Sequence, residues 1–455
     1  MNISQQANGD LNAIIHIQLN ESDYAPSVEK QLSDYKRKAS MPGFRPGKVP
    51  AGMIKKMYGK GVLAEEINKL ISESLNNYIK ENKLNILGQP LPNAEKTTTI
   101  DFDTQKEFDF YFDIAFSPEF EVELSDKIEI PYYDIKVSKT EIDKAINDVK
   151  IRFGSEENPE EAEITDGLQG MFSELGEEGN LVEGGLSHKG FFRIEDVKLK
   201  TIQDKMIGSK IGDAIDFNLM KAFKDEAKVR ALLHLEEGGD EKLNETYRFV
   251  VESVIRSHEA ELNEELFKKV YPNDDIKTEK DFRAKIKEEI KNHFQRDADR
   301  QFLDDSINEL IKITKLELPN EFMKRWLVEI NQGKITKEQI ELQYDSYAKS
   351  MKWQLIEERL HEKYGEAISV TREEIRNKVR AYFSTMGGGI DNPQVESIID
   401  TVLQNREEEQ RIYQDLQSGK LITLFKENLK QVGKEVDQEK FFEIVSNTNN
   451  ENHEQ

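Results

Sequence analysis

The sequence predicts an α+β protein of several domains: an N-terminal α+β domain, a β-rich insertion, and an all-helical remainder that the insertion makes discontinuous. Three observations carry this. Strand-like alternation brackets helical periodicity in residues 1–115, glycine-rich strand-like pieces gather in 155–255, and capping-box spacings mark helices on either side of that cluster. With 455 residues, 37% of them apolar, the chain is long enough for two to four domains with their own cores.

In residues 1–115, "LNAIIHIQLN" reads as a strand, and "EFDFYFDIAF" alternates Phe108, Phe110, Phe112, Ile114 and Phe116 on one face with Glu107, Asp109, Tyr111 and Asp113 on the other. Between them, Val28, Leu32 and Tyr35 mark one amphipathic helix, and Leu63, Ile67, Leu70, Ile71, Leu75 and Tyr78 a second. Both helices can cover one face of an antiparallel sheet. Residues 116–154 read as a linker and the first part of the helical domain, with Ser138 and Glu141 at capping-box spacing. In 155–255, "GFFRIEDV", "AIDFNLM" and "ETYRFVVESVIRS" are strand-like. Residues 256–446 are read as helical, with capping boxes at Thr336/Gln339 and Thr371/Glu374, and residues 447–455 as a disordered polar tail. One helix there is apolar on two faces, Tyr344, Tyr347, Met351 and Leu355 against Trp353, Ile356 and Leu360. It is either clasped between two neighbours or leaves one face open to apolar ligands.

Charge narrows the function classes. Acidic residues outnumber basic ones 88 to 64, a net charge of −24, which argues against DNA or anionic membrane as a general partner. The absence of cysteine removes disulfides, thiolate metal sites and cysteine nucleophiles, and suits a cytoplasmic protein. No apolar run approaches the ~20 residues of a membrane span. Seven scattered His without an HExxH pattern, and glycine-containing stretches without a phosphate-loop context, suggest no metal, nucleotide or other cofactor.

Residues 1–115 are nearly neutral, and residues 36–60 contain eight Lys or Arg and no Asp or Glu. Within that stretch lies "MPGFRPGKVP". Pro42, Pro46 and Pro50 restrict the backbone, and Gly43 and Gly47 permit turns. Arg45 offers a planar fork, Lys48 a point charge and Phe44 an apolar anchor. Such a loop suits a target that is partly apolar and partly anionic.

Gly43, Phe44, Arg45, Gly47, Lys48 and Pro50, written GFRxGKxP, resemble the ribosome-binding signature of the trigger factor family. The resemblance extends over the whole chain. It implies an N-terminal ribosome-binding domain, an insertion similar to the FK506-binding proteins, and a helical C-terminal domain with two arms. It further implies docking of the loop, Pro46 included, on a ribosomal protein and rRNA of the large subunit at the tunnel exit, with unfolded nascent polypeptides as clients, and it leaves open a homodimer of the free protein. On this reading the chain is a chaperone that holds clients on apolar helical surface, with Phe322, Trp326, Ile330, Tyr344, Tyr347 and Met351 as candidate contacts. The alternative is an active prolyl isomerase. Against it, the insertion has Met171 and Phe172 where the family places an acidic-aromatic pair, and keeps Gly208 and Gly212 without the proline-glycine-aromatic step. Phe191 and Phe192 are what remains to line a groove, and no residue is assigned a catalytic role.

Overall fold

The computed structural model describes residues 1–454 other than 41, 43, 46, 47, 98, 99, 103, 177, 236–241, 333 and 386–392, and for 384, 385, 393–395 and 449–454 the backbone alone. The chain divides into one unit of residues 1–134 with 296–455 and a second of 135–295.

Alternation in the first unit becomes an antiparallel sheet of β1 (Asn2–Ala7), β2 (Asn12–Leu19), β3 (Ile86–Pro92) and β4 (Phe108–Phe116), ordered β1-β2-β4-β3. Helices α1 (Glu21–Lys38) and α2 (Ala51–Glu81) lie between β2 and β3 in the chain. Ile15, Ile17 and Leu19 stand opposite Phe112, Phe110 and Phe108. The two-residue period puts this set on one face, where it shares a core with Tyr24 of α1 and Ile67, Ile71 and Leu75 of α2. Each fully buried side chain of this size contributes about 1.5–3 kcal/mol. Strand β5 (Glu129–Ile135) closes this part of the chain.

The second unit opens with α3 (Lys139–Arg152), where Ser138 and Glu141 cap each other's backbone N–H groups. Strands β6 (Ser155–Glu157), β7 (Gly167–Leu175) and β8 (Ser187–Arg193) follow, then α4 (Lys200–Met206), β9 (Ala214–Asn218), α5 (Leu219–Phe223), α6 (Glu226–Leu233) and β10 (Thr246–His258). The long β10 pairs antiparallel with β6, β7 and β9, and β8 adds to β7. Beyond it come α7 (Glu264–Val270) and α8 (Glu279–Thr314). This unit is wider than 155–255. Within it, Ile146 of α3, Leu266 and Phe267 of α7, and Phe282 and Ile286 of α8 form a core of their own, separate from that of the β-rich strands.

The rest of the first unit adds α9 (Asn320–Ile330), α10 (Lys337–Ile368), α11 (Arg372–Thr385), α12 (Pro393–Gln404), α13 (Arg406–Asn428), β11 (Lys430–Val436) and α14 (Gln438–Glu454). Both capping boxes predicted here form, at Thr336/Gln339 and Thr371/Glu374. Strand β11 interrupts the expected all-helical run by pairing with β5. Residues 447–454, expected to be disordered, continue α14 instead. Asp437 caps that helix through the Lys440 N–H, and Phe441 is buried edge-on against Tyr133 at 5.8 Å, so an anchored first turn propagates into the polar tail.

Helix α10 is clasped on both faces: Tyr344, Tyr347 and Met351 share a core with α9 and β3, and Trp353, Ile356 and Leu360 one with α8 and α13. Helix α9 also packs on the face of β4 opposite the phenylalanines. Asp113 and Ala115 are buried there, and Asp113 accepts a hydrogen bond from the Asn93 amide at 2.7 Å and pairs with Arg325 at 2.9 Å. Among the described residues, no helix is long and apolar enough to cross a membrane.

Candidate functional site

Helices α1 and α2 pack against each other, and the signature loop joins them. Phe44, Arg45, Lys48 and Pro50 are described; Gly43, Pro46 and Gly47 lie outside the described residues. The loop is fixed at its far end. Val49 is fully buried, and the Pro50 carbonyl accepts the Met53 and Ile54 N–H groups at 3.0 and 3.2 Å, which starts α2. A proline suits this point because its missing N–H would have no helical partner. The Lys48 N–H donates to the Arg45 carbonyl at 2.9 Å, and Phe44, Arg45 and Lys48 are exposed.

The structure adds residues that sequence reasoning missed. Tyr35 of α1 and Tyr58 of α2 stack at 5.4 Å behind the loop, both exposed. Met53 and Met57 are exposed on α2, Met57 by 52%, while Ile54 and Val62 turn inward. Lys38, Arg45, Lys48, Lys55 and Lys56 make no ion pair with another described residue, whereas Arg37 is paired with Asp34. The tip therefore combines thioether and aromatic surface with uncompensated positive charge. The signal available in the sequence was the Met53/Met57 spacing, one helical turn, immediately after the loop. Further back, α1, α2 and Phe102, Thr104, Gln105 and Lys106 border a groove of about 620 Å³, with Val28, Leu32, Ile54 and Leu63 along it and Lys36, Lys55 and Lys106 among its cations.

The candidate client contacts are mostly core. Phe322 and Tyr344 are buried, and Trp326, Tyr347 and Met351 pack partly buried in the same cluster. Tyr344 donates its hydroxyl to Asn320 at 2.8 Å; burial, with Glu321, Asp345 and Glu341 nearby, pushes its phenol up to about 12. Only Ile330 of the six is exposed. The apolar side of α9 is spent on β3 and β4, which local periodicity does not reveal. A more open apolar surface lies in a cleft of about 500 Å³ between α11, α12 and α13, lined by Val379, Tyr382, Phe383, Val402 and Ile412 with Lys378 and Arg411.

In the β-rich module, Phe172 and Phe192 lie 4.6 and 5.0 Å from Phe249, and Phe192 lies 5.3 Å from Phe223, ring centre to ring centre. All are buried. Phe191 is exposed and Met171 half-buried. Asp166, fully buried, takes two hydrogen bonds from Arg256, both 2.8 Å, and one from the Glu163 N–H at 2.7 Å. Burial pushes its carboxyl up, but these bonds and the charges of Arg256 and His258 outweigh that and hold it below the usual range. Among the described residues no three His, Asp or Glu converge as a metal site.

Comparison with known proteins finds three successive domain matches along the chain. Residues 1–149 match the family model described as bacterial trigger factor protein, 156–259 that of the probable trigger factor FKBP-like domain, and 298–445 that of the probable trigger factor C-terminal domain. The trigger factor of Rickettsia rickettsii is 26% identical over 309 residues, 67% of this chain and 62% of that protein. That of Chlorobaculum parvum is 27% identical over 300 residues, 66% of this chain and 65% of that protein. The chain thus spans a little under two thirds of the length of these curated relatives. A solved trigger factor structure, described under promiscuous substrate recognition in folding and assembly activities of that chaperone, superposes with a TM-score of 0.50 at 17% identity, covering 94% of this chain and 100% of that one. At that identity the likeness concerns the fold. With three successive domain matches that together take in most of its length, the chain belongs to the trigger factor family.

Proposed function

We propose that this protein is a cytoplasmic, ribosome-associated chaperone that docks through the α1–α2 tip and holds unfolded nascent polypeptide on apolar surface. One observation carries the docking half: an exposed phenylalanine beside cations that no described acidic group neutralises, on a loop pinned by Val49 and the start of α2. Arg45 and Lys48 meet rRNA phosphate, and Phe44 meets an apolar patch on a ribosomal protein of the large subunit beside the tunnel exit. Counterion release makes this attachment salt-sensitive. Client holding draws on surface such as the α11–α13 cleft. Burying ~500 Å² of apolar area contributes on the order of 12 kcal/mol against an association cost of about 4–15 kcal/mol, so holding is weak and reversible.

Prolyl isomerisation is the second reading, favoured by the FKBP-like match. It needs a desolvated apolar pocket that prefers the twisted amide. Phe172, Phe192 and Phe249 are buried against one another and are not free to line one. Co-sedimentation with ribosomes tests the proposal. A variant with alanine at Phe44, Arg45 and Lys48 stays in the supernatant while the native chain pellets, and equal pelleting of the two rejects the tip as anchor. The native chain also suppresses aggregation of an unfolded substrate; failure there leaves a ribosome-bound factor without client binding.

A further inference from the structure

The fold brings together two of the histidines that are scattered in sequence. His188 stands on β8 and His234 directly follows α6; their ring centroids are 4.0 Å apart, with planes at 38°. Helix α6 packs on β8 so closely that a Cβ on Gly190 would lie 3.4 Å from the Leu232 carbonyl oxygen. The backbone, not the reach of two long side chains, sets this juxtaposition. His188 is half-buried and His234 exposed, and neither ring makes a hydrogen bond or ion pair with another described residue.

A second observation concerns the backbone. His234 closes α6 in the left-handed conformation, φ 50° and ψ 44°, where glycine is the ordinary occupant because a Cβ is strained there. A strained side chain whose ring nitrogens are unused, held over a second such ring, is not explained by packing. The terminal carbonyls of α6 also favour positive charge at this point.

We infer that His188 and His234 form a two-imidazole site for a late first-row divalent cation of the Zn²⁺ and Ni²⁺ class. Neutral imidazole nitrogen suits these ions at about 2.0–2.1 Å. Two such bonds at about 90–110° put the ring centroids ~5 Å apart, so the stacked rings fan open by roughly 1 Å, and the exposed His234 is free to turn. Among the described residues, no third His, Asp or Glu joins them. With half the ligands of a structural zinc site, the dissociation constant is on the order of 10 µM. A bound ion clips the end of α6 to β8.

Titration calorimetry of the full chain with ZnCl₂ tests this. The native protein takes up one equivalent, His188→Gln and His234→Gln each weaken binding at least tenfold, and the double variant loses nothing more. His234→Gly relieves the left-handed strain, so it folds at least as well as the native chain by thermal melting while losing the metal, which separates ligation from misfolding. The inference is overturned if the native chain shows no one-equivalent site in this range, or if either glutamine variant binds Zn²⁺ as tightly as the native chain.

Discussion

Trp326 is the residue on which the structural and the client-binding readings of α9 divide most sharply. Its indole lies over Gly88 of β3, a glycine at φ +69°, and a Cβ built there falls 2.7 Å from the indole nitrogen and 2.8 Å from Cε2. Burying a large aromatic completely is worth about 3–5 kcal/mol against alanine. Trp326 is partly buried, so Trp326→Ala should cost about 2 kcal/mol. Gly88→Ala combines left-handed strain of about 1–2 kcal/mol with displacement of the ring, for a total of about 2–3 kcal/mol. Urea unfolding is the assay, and with a slope of ~2–3 kcal/mol/M the midpoint falls by about 0.7–1 M in Trp326→Ala and by about 0.7–1.5 M in Gly88→Ala. The two tryptophans, Trp326 and Trp353, both lie in the first unit, so fluorescence reports that unit alone. The double variant should be less destabilised than the two singles added together, because the clash disappears with the indole. An unchanged midpoint in Trp326→Ala would refute the packing argument and return the side chain to the list of free client contacts.

Other outcomes follow from the same geometry. Asp166→Asn should cost about 2–3 kcal/mol at neutral pH, the worth of hydrogen bonds to a charged group. Because the folded carboxyl lies below its unfolded value of about 3.9, that stabilisation is present above this pH and is lost as pH falls through the folded value. The gap between native and variant midpoints should therefore close on acidification below about pH 4, and a gap constant to pH 2 would contradict the pairing. Thr336→Ala removes the reciprocal cap of α10 and should cost about 1 kcal/mol, read from thermal melting; no shift would mean the cap is not formed in solution. Arg45→Gln with Lys48→Gln should reduce the salt dependence of ribosome affinity, the slope of log K against log[salt], by about 1.5, whereas Phe44→Ala should weaken binding at unchanged slope. Equal slopes in all three proteins would exclude phosphate contacts.

Local chemistry was legible wherever a few neighbouring residues decide the structure. The Ser138, Thr336 and Thr371 boxes each need only four residues and all form. The phenylalanine face of β4 was readable for the same reason, since a period of two and its hydrophobic set fix the side that meets α1 and α2. Its opposite face was not, because α9, far downstream, covers Asp113 and Ala115, and nothing near them announces it. The same holds for "KQVGKEV", a polar segment that becomes β11 only by pairing with β5. The amphipathicity of α3 shows that one side is buried without naming the partner, and the partner decides that 135–154 joins the second unit.

The two halves of the proposed function differ in legibility for that reason. A tip is recognisable by what it lacks, since residues 36–60 carry eight cations and no acid, and no rearrangement of distant helices changes that. A client surface is recognised by apolar character, which buried and exposed residues share; Phe322 and Ile330 sit two helical turns apart on α9 and differ only in what covers them. The acidity of the remaining chain does not cancel the tip either. Screening at physiological salt limits each charge to about 8 Å, so uncompensated Arg45 and Lys48 present a local positive field whatever the net charge of −24. Under the proposed function, the acidic majority disfavours adhesion to RNA at other contacts and leaves the cationic tip as the surface through which an anionic particle is met.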